Sequence, residues 1–151
     1  VAAVASALSA AASFWLIRTE ARSHDFDSCL DLIERLGVAL RRVRDAQDDG
    51  IRDFEFRELL NLMEGLALLE NQRRIPKATR KFAKTYLIET YAFLRSEGST
   101  RVLLDSSVTG VTTFDELMQF YDRNRAEIDG LSVAYQKQRK EREASEPASA
   151  P

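Results

Sequence analysis

The chain has 151 residues, 44% of them hydrophobic and 30% charged, and a formal net charge of −2. That length and balance suit one domain with a core of its own, and the near-neutral charge excludes a global pull toward nucleic acid or anionic lipid, so any such pull must come from a local patch. With one cysteine, Cys29, and one histidine, His24, the sequence cannot build an intramolecular disulfide, a cysteine zinc cluster or a His-rich metal site.

Residues 1–17, VAAVASALSAAASFWLI, carry no charge, and the first ionisable side chain is Arg18. A helix of that run reaches roughly 25 Å, short of the roughly 30 Å of a bilayer's hydrocarbon, a gap that residues upstream of Val1 would close. Three readings are open: an anchor helix, an Ala-rich helix packed on a soluble core, and a signal peptide. The last is weakest, because no basic stretch precedes the apolar run. Trp15 stands near the charged end, where an interfacial anchor belongs. Small residues at spacing four (Ala2, Ser6, Ala10) would let two such helices approach closely, but an Ala/Ser-rich run produces that spacing by composition alone.

Residues 18–47 continue as a long stalk helix. Phe26, Leu30, Ile33, Gly37 and Leu40 form one seam, with Cys29, Leu32, Leu36, Ala39 and Val43 beside it, so this helix has neighbours on two sides or a partner helix from another subunit. Asp48-Asp49-Gly50 is a turn signal. A second helix is expected over about 53–72, with Phe56, Leu59, Leu60, Met63, Leu66 and Ala67 inward and Arg57, Asn61, Glu64 and Leu68 nearly opposite. Pro76 opens a third helix to about Ser96, with Phe82, Ala83, Tyr86, Phe93 and Leu94 inward and Gly98 as its stop.

Residues 99–111 read as a helical turn and a loop. Thr113 with Glu116 makes a capping-box pattern for a fourth helix with Phe114, Leu117, Met118 and Tyr121 inward and Gly130 as its natural stop. Residues 136–151 lose apolar character and are expected to be a disordered polar tail. No alternating strand pattern occurs. The expected fold class is all-α: a small bundle of about four helices counting the stalk, with 51–135 as the bundle domain and an N-terminal apolar, membrane-anchoring helix that continues into the stalk.

The strongest surface feature is a run of six basic residues without an acid: Arg73, Arg74, Lys77, Arg80, Lys81 and Lys84. Positions 77, 80, 81 and 84 share a helix face, and Arg95 extends the stripe. A solvated helix face is the plain reading; contact with anionic headgroups or with a polyanion is the functional one. The lack of basic excess elsewhere argues against nucleic acid as the main partner. Arg57, Asn61 and Glu64 form a second candidate, a polar network or small pocket, although one carboxylate without a nucleophile, histidine or metal is not a reaction centre. His24 beside Asp25 and Asp27 reads as an exposed helix-start residue, and Cys29 as a buried, inert thiol.

The stretch 56–94, FRELLNLMEGLALLENQRRIPKATRKFAKTYLIETYAFL, resembles an uncharacterised bacterial family of short helical proteins with an N-terminal membrane anchor. The resemblance rests on Leu-Leu-Asn-x-x-Glu-x-x-Ala at Leu59, Leu60, Asn61, Glu64 and Ala67, and on the aromatic-bearing helix after a short basic link. It implies one membrane-spanning helix, a cytoplasmic helical domain and no assigned activity, and it supplies no catalytic residue.

The expectation is a non-enzymatic, single-pass protein of a bacterial inner membrane, its C-terminal domain cytoplasmic because Arg18, Arg22, Arg41, Arg42 and Arg44 follow the span. Such a bundle would bind another protein or itself, with no cofactor, no metal and no small-molecule substrate. The alternative is a soluble cytoplasmic domain that binds nucleic acid or another polyanion through the 73–84 cluster.

Overall fold

The computed structural model describes the backbone at residues 2–108 and 114–145 and the side chains at 24–107 and 114–145. Every regular element among the described residues is a helix: α1 (Ala2–Asp45), α2 (Asp49–Asn71), α3 (Lys77–Ser96), α4 (Gly98–Val108) and α5 (Asp115–Ser145). The all-helical expectation holds, with five helices where about four were expected.

The link between α1 and α2 is tighter than the Asp48-Asp49-Gly50 signal suggested. Asp48 is an N-cap rather than the middle of a loop: its Oδ1 accepts from the Ile51 amide at 3.0 Å, and Asp49 and Gly50 form the first turn of α2. The two helices then run antiparallel. Arg42 pairs with Glu55 at 3.8 Å, a Cβ built on Gly65 would lie 3.5 Å from the Leu32 methyls, and Arg74 pairs with Asp25 at 3.3 Å. Partner numbers fall on one helix as they rise on the other, so the end of α2 lies level with Asp25.

α3 returns alongside α1 in the same direction. Tyr86 stands opposite Gly37, where an added Cβ would meet its hydroxyl at 3.3 Å, and Phe93 and Leu94 share a cavity with Leu40 and Val43. The second half of α1 is thereby built into the bundle, with Cys29, Leu36, Ala39 and Val43 buried in the same core as Phe56, Met63, Leu87 and Phe120. Its seams meet two neighbours within the chain, α2 and α3, although Leu30 stays 44% exposed.

The inward face of α2 is the expected one, and Phe56, Leu59, Leu60, Met63, Leu66 and Ala67 are all buried. The inward face of α3 is wider than expected and leaves out its first aromatic residue. Ala83 and Leu94 are buried and Tyr86 and Phe93 pack against the core as expected, but Phe82 is 54% exposed, while Leu87, Ile88 and Tyr91 are buried in addition. The cause is that α3 is covered from several sides, by α5 as well as by α1 and α2, so its buried arc follows the neighbours rather than the largest aromatic side chains. Tyr91 stacks on Tyr121 of α5 with ring centroids 4.9 Å apart, and the Arg95 guanidinium lies 5.2 Å from the centroid of the Tyr121 ring.

Two glycine stops are not used. α3 ends at Ser96, and Gly98 opens α4, whose start is tied to α3 by the Thr100 hydroxyl donating to the Leu94 carbonyl at 2.7 Å. α5 passes through Gly130 and continues to Ser145, so most of the expected polar tail is helical and only residues 146–151 lie outside the described ones. Poverty in apolar side chains removes burial, not helix propensity: residues 136–143 are good helix formers, with ion pairs Lys137–Glu141 at 3.9 Å and Arg139–Glu143 at 3.7 Å. Arg139 also donates to the Ser96 carbonyl at 3.2 Å, which fastens this extension to the end of α3.

Among the described residues no helix is long and apolar enough to cross a membrane. The side chains of the 1–17 run, on which the anchor expectation rests, lie outside the described ones.

Candidate functional site

The basic cluster is presented by a specific chain reversal. At the end of α2 the Arg73 amide donates to the Glu70 carbonyl at 3.1 Å and the Arg74 amide to the Leu69 carbonyl at 3.3 Å. This pair of bonds is a Schellman cap, whose left-handed position is filled by Arg73 with φ of 54°. Ile75, 4% exposed, pins the link into the core, and Pro76 caps α3 while its carbonyl accepts from the Arg80 amide at 2.8 Å. With the apolar residue of the link turned inward, Arg73 and Arg74 are left outside, next to the first turns of α3.

The result is an open groove of about 670 Å³ between the end of α2, the first half of α3 and α5, lined by Glu70, Asn71, Arg73, Lys77, Ala78, Arg80, Lys81, Lys84 and Arg123. Five of the six basic residues singled out in the sequence meet here. The sixth, Arg74, turns away to Asp25.

The groove has one acid in its lining, and that acid is answered. Arg123 pairs with Glu70 at 3.2 Å and also donates to the Asn71 side-chain oxygen, while the Asn71 amide donates to the Glu116 carboxylate at 2.6 Å and to the Glu116 carbonyl at 2.9 Å. Lys84 reaches Glu127 at 3.9 Å. Arg73, Lys77, Arg80 and Lys81 have no carboxylate within ion-pair distance among the described residues. Four cations around one concavity, each with donors and no acceptor, have the chemistry to donate to anionic oxygens. The Ala78 side chain and the Lys and Arg stems supply its apolar walls.

The second candidate set is dispersed. Asn61 reaches only Glu58, at 3.5 Å, and both Asn61 and Arg57 are exposed. Glu64 is taken by α5: its two carboxylate oxygens accept from the backbone amides of Glu116 at 3.0 Å and Leu117 at 2.7 Å. Glu64 is therefore the N-terminal cap of α5, supplied from another helix. This displaces the capping box expected of Thr113 and Glu116: the Glu116 carboxylate is bound by Asn71, and Thr113 lies outside the described residues. The Leu-Leu-Asn-x-x-Glu-x-x-Ala pattern thus becomes intelligible as packing, with Leu59, Leu60 and Ala67 in the core and Glu64 holding α5.

His24 is exposed, and its Nδ1 lies 3.3 Å from the Ser28 hydroxyl. Cys29 is fully buried, and burial pushes its thiol above the ordinary range, which leaves little thiolate for chemistry. Burial also raises the Tyr91 phenol, with the adjacent Tyr121 adding to the shift, so this hydroxyl is a core group rather than an acid. No group of three or more His, Cys, Asp or Glu side chains is placed to hold a metal ion among the described residues.

Arg123 and Asn71 were not legible as groove residues. Arg123 is far from the cluster in sequence, and nothing in its own helix marks the face that α2 and α3 will meet. Comparison of the chain with protein-family models, with curated proteins and with solved structures finds no match.

Proposed function

We propose that this chain is a membrane-tethered helical module that acts by binding rather than by catalysis, and that its groove takes an anionic group of its partner. The observation that supports this is the convergence of Arg73, Lys77, Arg80 and Lys81 on one concavity without a carboxylate to neutralise them. Arg74, Lys84 and Arg123, by contrast, are paired with Asp25, Glu127 and Glu70. On this reading residues 1–17 are the tether, and the arginines that follow them favour a cytoplasmic bundle at a bacterial inner membrane, in keeping with the resemblance over residues 56–94.

Two experiments test it. Alkaline carbonate washing of membranes should leave the full-length protein in the pellet; complete release would remove the tether. Inorganic polyphosphate should bind the full chain with an affinity that falls about 50-fold between about 50 and 200 mM salt, as expected for roughly four engaged cations. The Lys77→Ala, Arg80→Ala, Lys81→Ala triple variant should lose most of that affinity and its salt dependence. Binding unchanged in the triple variant would show that the groove is not the site.

A further inference from the structure

We infer that the groove engages the anionic phospholipid headgroups of the same bilayer that the apolar run enters, an inference that rests on the tether and anion-binding readings above. The argument is one of level. α1 is one continuous helix from Ala2 to Asp45, and the Arg74–Asp25 ion pair of 3.3 Å sets the α2–α3 link beside Asp25. Asp25 follows Ile17 by eight residues, about 12 Å along a helix axis. The headgroup layer occupies about 5–7 Å beyond the hydrocarbon, and the remaining distance is less than the screening length of about 8 Å at physiological salt. Tilt of the helix brings the link nearer still.

The direction of α3 completes the picture. It starts at this end of the bundle and runs away from it beside α1, so Arg73 and Lys77 stand at the near end of the groove and Lys84, already paired with Glu127, at the far end. Along α3, the cations without carboxylate partners, Lys77, Arg80 and Lys81, come before the paired Lys84 and are closer to the tether. A tether that holds them there gives lipid a high effective concentration over any soluble anion. The opposite end of the bundle, where Arg139 meets the Ser96 carbonyl, is far from the bilayer on the same geometry. The groove thus brings Arg73, Lys77, Arg80 and Lys81 toward the bilayer side although the chain as a whole is acidic by two charges.

The link and the distal end of α5 both offer trypsin sites, at Arg73 and Arg74 and at Lys137 to Arg142, which makes one molecule its own control. The full chain is placed in nanodiscs of phosphatidylcholine alone or with about 30% phosphatidylglycerol, and tryptic cleavage at the link is measured relative to cleavage at the α5 end. Anionic discs should slow the relative cleavage at the link about fivefold or more, since each cation near the surface contributes. The protection should vanish at about 0.5 M salt and in the Lys77→Ala, Arg80→Ala, Lys81→Ala variant, which keeps the Arg73 and Arg74 sites. Equal relative rates in the two discs would overturn the inference. Polyphosphate added to the neutral discs separates the two failures: if it protects the link where phosphatidylglycerol does not, the groove binds anions but not lipid, and if neither protects, the anion-binding reading falls as well.

Discussion

The cap that Glu64 provides to α5 can be tested by removing it. In Glu64→Ala the amides of Glu116 and Leu117 lose acceptors at 3.0 and 2.7 Å, and the helix loses a negative charge at its positive end. Loss of an N-cap costs about 0.5–2 kcal/mol, and hydrogen bonds to a charged group contribute about 1.5–3 kcal/mol each when shielded. Because Glu64 is only half-buried, water replaces part of what is lost, so a net cost of about 2 kcal/mol is expected, near the upper end of the capping range. Glu64→Gln keeps an acceptor oxygen without the charge and should cost about 1 kcal/mol. For a chain of this size these correspond to a fall in Tm of about 4–8 °C and about 2–4 °C. The measurement is thermal unfolding of the full chain in mild detergent followed by circular dichroism, with Asn61→Ala as the reference. Asn61 is exposed on the same helix and its only side-chain bond, to Glu58, is 3.5 Å long, so its removal should change stability by less than about 0.5 kcal/mol. A Tm for Glu64→Ala equal to that of Asn61→Ala would refute the assignment of Glu64 as the cap.

Arg73 occupies a left-handed position with φ of 54°, which disfavours any side chain by about 1 kcal/mol. Arg73→Gly should therefore stabilise the fold by about 0.5–1 kcal/mol while lowering the salt dependence of polyphosphate binding, measured by titration at several ionic strengths; a loss of stability would contradict the cap geometry. Gly130 lies within α5, and a Cβ added there meets nothing within 4 Å. Gly130→Ala should raise stability by about 0.5–1 kcal/mol in urea unfolding, and a decrease would mean that the face is covered. Tyr91 links stability to alkaline pH. Its folded-state pKa is raised, so the unfolded chain gives up this proton first, from about pH 10 upward, and stability must fall as pH climbs through that range and be insensitive to Tyr91 ionisation below it. Tm measured from pH 8 to 11 should decline less steeply in Tyr91→Phe than in the parent, and identical slopes would rule out this linkage.

Local chemistry made some of these features readable and left others hidden. The inward face of α2 was legible because Phe56, Leu59, Leu60, Met63, Leu66 and Ala67 recur at helical spacing, although the several neighbours of this helix bury Leu62 and Leu69 as well. The same rule misplaced Phe82, because α3 has neighbours on more than one side and its buried arc cannot be read from periodicity alone. The cap of α5 was misread for a related reason. Thr113 and Glu116 satisfied a local pattern, while the acceptors in use belong to Glu64, more than 50 residues earlier.

The sequence by itself determined that the chain is helical, where its basic cluster lies, and that it holds one cysteine and one histidine, since helical periodicity, charge runs and residue counts need no knowledge of which helices meet. Only the tertiary structure decided that Arg73, Lys77, Arg80 and Lys81 share a groove with Arg123, that Arg74 leaves it for Asp25, and that Glu64 holds α5 rather than a polar site with Arg57 and Asn61. Those outcomes depend on which helix faces meet and at what level, and that is settled by the packing of α2 between α1 and α5, a relation among side chains tens of residues apart that no local spacing encodes.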